Sequence, residues 1–99
     1  MPADTIRSAL LKLDLRLTAE QALGECERRG LVVTGRREVA GRAGSGHWHL
    51  SIPGQPGTLE LSEWQGRAWV KVHPRRKGAW ATDLAHELAE LPMPADQDP

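Results

Sequence analysis

The 99-residue chain has no tyrosine, no phenylalanine and a single cysteine, Cys26. Without the two smaller aromatics a core must be filled mostly by Leu, Val, Ile and Ala, and each of the four tryptophans needs its own explanation. One cysteine excludes an internal disulfide, so the fold gains nothing from cross-linking and suits a reducing cytosol. A buried, inert thiol is the expectation for Cys26. No stretch approaches the ~18 apolar residues of a membrane span, and residues 1–11 lack a basic segment followed by an apolar run. A soluble, cytoplasmic protein without membrane contact is expected. Net charge is missing too, with 13 basic residues balancing 13 acidic ones.

The zero sum hides an uneven distribution. Between Arg28 and Lys77, ten bases (Arg28, Arg29, Arg36, Arg37, Arg42, Arg67, Lys71, Arg75, Arg76, Lys77) face three acids (Glu38, Glu60, Glu63), an excess of about +7. Asp83, Glu87, Glu90, Asp96 and Asp98 carry much of the compensating charge near the C-terminal end. Neutrality overall therefore coexists with a basic centre. The hydrophobic fraction of 39% and charged fraction of 26% exclude wholesale disorder, and the length allows one core. Residues 1–91 read as a single α+β domain and residues 92–99 as an acidic disordered tail.

Along the chain, Ile6, Ala9, Leu10, Leu13 and Leu17 recur at helical spacing and predict a first helix over about residues 5–14. Leu11, Leu13, Leu15 and Leu17 also alternate with Lys12, Asp14 and Arg16, the pattern of a half-buried strand, so residues 5–17 admit both readings. Thr18 and Gln21 have the spacing of a capping box, with Ala19, Ala22, Leu23 and Cys26 as the apolar stripe behind it and Gly30 as the stop. Leu31, Val32 and Val33 open a strand. Gly41, Gly44 and Gly46 crowd the next turn, which is more like a hairpin loop than a phosphate-cradling one because a strand follows it.

Trp48, Leu50 and Ile52 alternate with His47, His49 and Ser51. Beyond Pro53-Gly54-Gln55-Pro56-Gly57, Leu59 and Leu61 alternate with Thr58, Glu60 and Ser62, so the two runs form a hairpin. Trp64-Gln65-Gly66-Arg67 is a second turn, and Ala68, Val70 and Val72 alternate with Trp69, Lys71 and His73 up to Pro74. A last helix spans about residues 79–91, apolar at Ala81, Leu84, Ala85, Leu88 and Leu91, with His86 on its acidic surface. The expected fold is α+β, an antiparallel meander of three to four strands with the helices packed on one face, in the order α-β-β-β(-β)-α. The other face is expected to be wet and to present His47, His49, Thr58, Glu60, Trp69, Lys71 and His73.

Arg75, Arg76 and Lys77 stand immediately before the last helix. Cations there oppose the macrodipole by ~0.3–1 kcal/mol each, so helix stability does not account for them. A bound anion would. Backbone N–H groups at residues 78–81 together with three cations make a phosphate site, with Trp69, Lys71, His73 and Trp80 as its neighbours and Trp able to stack on an unpaired base. The competing reading is a solvated turn whose charges meet acids elsewhere.

His47, His49 and His73 fall on one face and have the makings of an open three-His metal site. In a simple meander, however, the strand carrying Glu60 separates them, leaving the backbones about 9.6 Å apart. Exposed or packing histidines, and no metal, are therefore expected. Ser45 beside His47 lacks the third group that would orient a nucleophile and base.

The order helix, strand, strand, strand, helix, with bases heading the last helix, resembles the double-stranded-RNA-binding-domain fold and the related HicA-type toxins, which are small RNA-cleaving proteins. Glu20 to Gly30, Leu31 to Val33, and Gly44-Ser45-Gly46-His47 occupy places comparable to the toxins' helix, first strand and Gly-Ser-His turn. The likeness covers about residues 19–91. Gly46 is an insertion relative to that turn. The resemblance implies RNA as substrate, His47 as the catalytic residue, and Arg75, Arg76 and Lys77 as phosphate contacts. Fold alone does not fix function.

The leading expectation is a non-enzymatic module without a cofactor that binds RNA or DNA phosphate through Trp69, Lys71, His73, Arg75, Arg76 and Lys77. The alternatives are a protein-interaction or homodimerisation module, in which opposite charges pair between chains, and a ribonuclease dependent on His47.

Overall fold

In a computed structural model, which describes residues 10–37, 45–73 and 79–93, the first regular element is a strand, β1 (Leu11–Leu15). The helix expected over residues 5–14 is thereby corrected for residues 11–14; residues 1–9 lie outside the described residues. The leucine alternation prevails because a partner strand is available. Leu11, Leu13 and Leu15 stand opposite Val72, Val70 and Ala68 of β5 (Arg67–Val72) and are half-buried, while Lys12 and Asp14 are exposed. A strand puts all three leucines on one side, which a helix cannot do.

Helix α1 (Ala19–Arg28) begins as its spacing predicts. Gln21 donates its backbone N–H to Thr18 Oγ1 at 3.1 Å, and Thr18 donates its own to Gln21 Oε1 at 2.9 Å, which closes the capping box. At the other end Gly30 adopts φ 87°, Leu31 N–H donates to Cys26 O and Gly30 N–H to Glu27 O, both at 3.0 Å. That pair of bonds satisfies the last carbonyls in a Schellman arrangement that only a residue at ease in the left-handed region can hold.

Strands β2 (Val32–Arg37), β3 (Gly46–Ser51), β4 (Leu59–Trp64) and β5 then form a meander, and α2 (Ala79–Glu90) closes the described chain. The Gln65-Gly66 turn joining β4 to β5 holds both residues at positive φ, 51° and 77°, which matches the twist of a tight hairpin. Among the described residues the sheet has five antiparallel strands in the order β1-β5-β4-β3-β2, more than the three or four expected, because the segment before α1 adds an edge strand beside β5. The α+β class and the position of both helices on one face are as expected.

That face is the core. Trp48, Leu50, Leu59, Leu61, Ala68, Val70 and Val72 from the sheet meet Ala19, Ala22 and Cys26 of α1 and Ala81, Leu84, Ala85 and Leu88 of α2. Trp48 is buried with the Arg36 guanidinium 5.8 Å from its ring centroid, and Trp80 packs at the core margin with its Nε1 donating to Pro56 O at 2.7 Å. Arg29 ties the two helices together, bonding Glu25 of α1 at 2.6 Å through Nη1 and Glu87 of α2 at 2.8 Å through Nε. Among the described residues no helix is long and apolar enough to cross a membrane.

Candidate functional site

The helices cover one face of the sheet, and the cross-strand register determines what the other presents. One row runs Lys12, Lys71, Glu60, His49 and Gly35 from β1 to β2; the next runs Asp14, Trp69, Ser62 and His47. His73 follows β5 directly. Most of the wet-face residues expected from alternation thus lie side by side, but the face is not uniformly wet. Glu60, on the central strand with neighbours on both sides, is only 8% exposed, and Ser62 only 5%.

A buried carboxylate needs partners, and imidazoles supply them. His73 Nε2 lies 2.5 Å from Glu60 Oε2, His47 Nε2 3.4 Å from Oε1, and His49 Nε2 3.9 Å from Oε2. His47 and His49, two residues apart on β3, converge until their Nε2 atoms are 3.1 Å apart, with the rings edge to face at 72°. The second nitrogen of His47, Nδ1, is 2.9 Å from Ser62 Oγ. His47, His49 and Glu60 offer three potential metal-ligating atoms within 4.8 Å of one another. A cleft of about 270 Å³, lined by Gly35, Arg36, His47 and His49, opens beside them.

Next to this cluster Trp69 sits opposite both Ser62 and Asp14, and the Lys12 ammonium lies 5.1 Å from its ring centroid. Its buried Nε1 has no hydrogen-bond partner among the described residues. Lys71 stands between Lys12 and Glu60 in register. Opposite charges are therefore interleaved around an aromatic ring and three imidazoles.

The structure brings together Trp69, Lys71 and His73 with His47 and His49, all five singled out from the sequence. His73 reaches Glu60, not the other two histidines, because β4 intervenes as expected. Glu60 is the residue whose role sequence reasoning missed: it was placed on the same face, on the strand that separates the histidines, and it is the group on which they converge. Its parity with His47 and His49 was the available signal. Trp80 belongs to the core margin and not to this face. Arg75, Arg76 and Lys77, and the glycines at 41 and 44, lie outside the described residues. Cys26 is fully buried in α1, and burial pushes its thiol up to about 11, so it is inert at neutral pH. No protein-family model, curated protein or solved structure matches the chain, so the site is interpreted from its own chemistry.

Proposed function

We propose that the protein is a single-stranded nucleic-acid-binding module that uses the uncovered sheet face and the basic segment leading from it. The observation that carries this reading is the contiguity of Trp69, Lys71 and Lys12 with the histidines of β3 on a sheet face that neither helix covers. An uncovered sheet face with an aromatic ring and flanking cations suits unstacked bases and their phosphates better than the regular groove of a duplex. From His73 the chain runs directly into Arg75, Arg76 and Lys77, which supply further phosphate-neutralising charge.

Titration of labelled single-stranded RNA and DNA across a salt series tests the proposal. With three to five phosphates neutralised, the log affinity falls with log salt at a slope of roughly −2 to −3.5. Trp69→Ala is expected to weaken binding by about 1–3 kcal/mol, and reversal of Arg75, Arg76 and Lys77 to Glu to flatten the slope. A duplex bound as tightly as the single strand, or no binding at low salt, sinks the proposal.

A second reading is RNA cleavage, the activity implied by the likeness to HicA-type toxins. The observation in its favour is Glu60 Oε1 within 3.4 Å of His47 Nε2, a carboxylate and imidazole within reach of a shared proton carrier role. It requires that purified protein cleave RNA and that His47→Ala abolish cleavage while circular dichroism shows the variant still folded.

A further inference from the structure

We propose that His47, His49 and Glu60 bind one divalent first-row transition ion of the zinc class, with a fourth coordination position open to the adjacent cleft. The geometry points to it first. Zinc bonds of ~2.0–2.1 Å to nitrogen and oxygen, arranged tetrahedrally, set the donor atoms about 3.3–3.4 Å apart. The observed separations are 3.1 Å for His47 Nε2 to His49 Nε2, 3.4 Å for His47 Nε2 to Glu60 Oε1, and 3.9 Å for His49 Nε2 to Glu60 Oε2. One donor atom from each of the three residues lies within 4.8 Å of the other two, and because the two imidazoles face different oxygens of Glu60, a small turn of the carboxylate is needed to bring one oxygen to both.

The surrounding groups do what outer ligands do in metal sites. With a metal on Nε2, His47 would carry its proton on Nδ1 and donate it to Ser62 Oγ, which lies 2.9 Å away. His73 holds Glu60 Oε2 at 2.5 Å and so orients the carboxylate with Oε1 toward His47. Two neutral imidazoles and one carboxylate favour zinc, cobalt, nickel or copper over calcium or magnesium, which prefer oxygen alone. On the β2 side the residue opposite His49 is Gly35, whose lack of a side chain leaves the cleft open. Three protein ligands with an open position leave room for water or for an anionic oxygen, the donor set of reactive rather than purely structural zinc.

The site stands independently of the nucleic-acid reading and competes with His47 as a proton carrier, because a ligated Nε2 has no free lone pair. Untagged protein, freed of metal with EDTA and titrated with Co²⁺ and then Zn²⁺, is expected to bind one equivalent, with the intense visible absorption of tetrahedral cobalt displaced by zinc. Glu60→Gln and His49→Gln are each expected to weaken zinc binding at least 100-fold, Ser62→Ala about 10- to 100-fold, and His86→Gln, on the exposed surface of α2, not at all. Long-range ¹⁵N–¹H spectra of the wild-type protein give a readout that no variant's folding affects. Zinc must shift the Nε2 resonances of His47 and His49. A shift confined to His86 or His73, absence of stoichiometric binding by the folded wild type, or equal binding by the Glu60 and His49 variants overturns the proposal.

Discussion

Replacing Gly46 by alanine sets two effects of known sign against each other. Gly46 opens β3 without a positive φ, so alanine fits the backbone and, by restricting the unfolded chain, is worth ~0.4–1 kcal/mol in favour of folding. Its Cβ, however, would lie 2.3 Å from Trp48 Cη2, 2.8 Å from Cζ3 and 3.0 Å from Cζ2. Carbon atoms rest at about 3.5–4.0 Å, so the indole must retreat by more than an ångström. It has little space to do so, being 7% exposed and lodged in the core. Overpacking of this kind costs about 1–3 kcal/mol, which outweighs the backbone gain. A net loss of about 1–2 kcal/mol is expected, and a fall in Tm of roughly 4–16 °C for a chain of this size. Thermal and urea melts followed by circular dichroism measure it. In Trp48→Leu the obstacle is gone, so the same glycine change should then cost much less, giving a clear coupling energy in the double-mutant cycle. A Gly46→Ala protein as stable as wild type, or strict additivity with Trp48→Leu, refutes the steric argument.

Other perturbations follow from the same structure. Gly24→Ala, within α1 and with only Arg28 Nη1 at 3.8 Å from the added carbon, should stabilise by ~0.5–1 kcal/mol in the same melts, since it replaces a poor helix former without a clash. The Cys26 thiol, raised by burial from 9.0 to about 11, favours the folded state fully below pH 9 and loses that contribution as pH rises toward 11, by ~3 kcal/mol. Melts at pH 8–11 should therefore show a decline that is absent in Cys26→Ala, and native protein should resist thiol reagents. Hydrogen bonds from Arg29 and then Arg28 hold the Glu25 carboxyl below its ordinary 4.5, so its contribution is present above that pH and fades as pH falls through the lowered value. Glu25→Gln should flatten the acid limb of a Tm–pH profile; an unchanged limb counts against the pairing.

Local rules made much of this fold legible. The capping box at Thr18 and Gln21, the Gly30 stop, the Gln65-Gly66 turn and the period-two alternation of Trp48-Leu50 and Val70-Val72 each depend on a few adjacent residues, and each stands as read. Residues 11–15 did not yield to that approach, because their leucines satisfy two periodicities and only the unpaired edge of β5 selects the strand. Site residues divide in the same way. Alternation correctly gathered His47, His49, Trp69, Lys71 and His73 on one face, but the convergence of imidazoles on Glu60 depends on β4 lying at the centre of the sheet.

The sequence by itself determined the α+β class, the helix ends, the turns and the side of the sheet to which each strand residue belongs, since these follow from backbone stereochemistry and the burial of apolar side chains over short spans. Tertiary structure decided the fifth strand, the burial of Glu60 and the meeting of His47, His49 and Glu60 at one point. Those outcomes depend on strand order and register, which bring together residues distant in the chain, and no local pattern encodes the few ångströms that separate a row of surface histidines from a set of ligands.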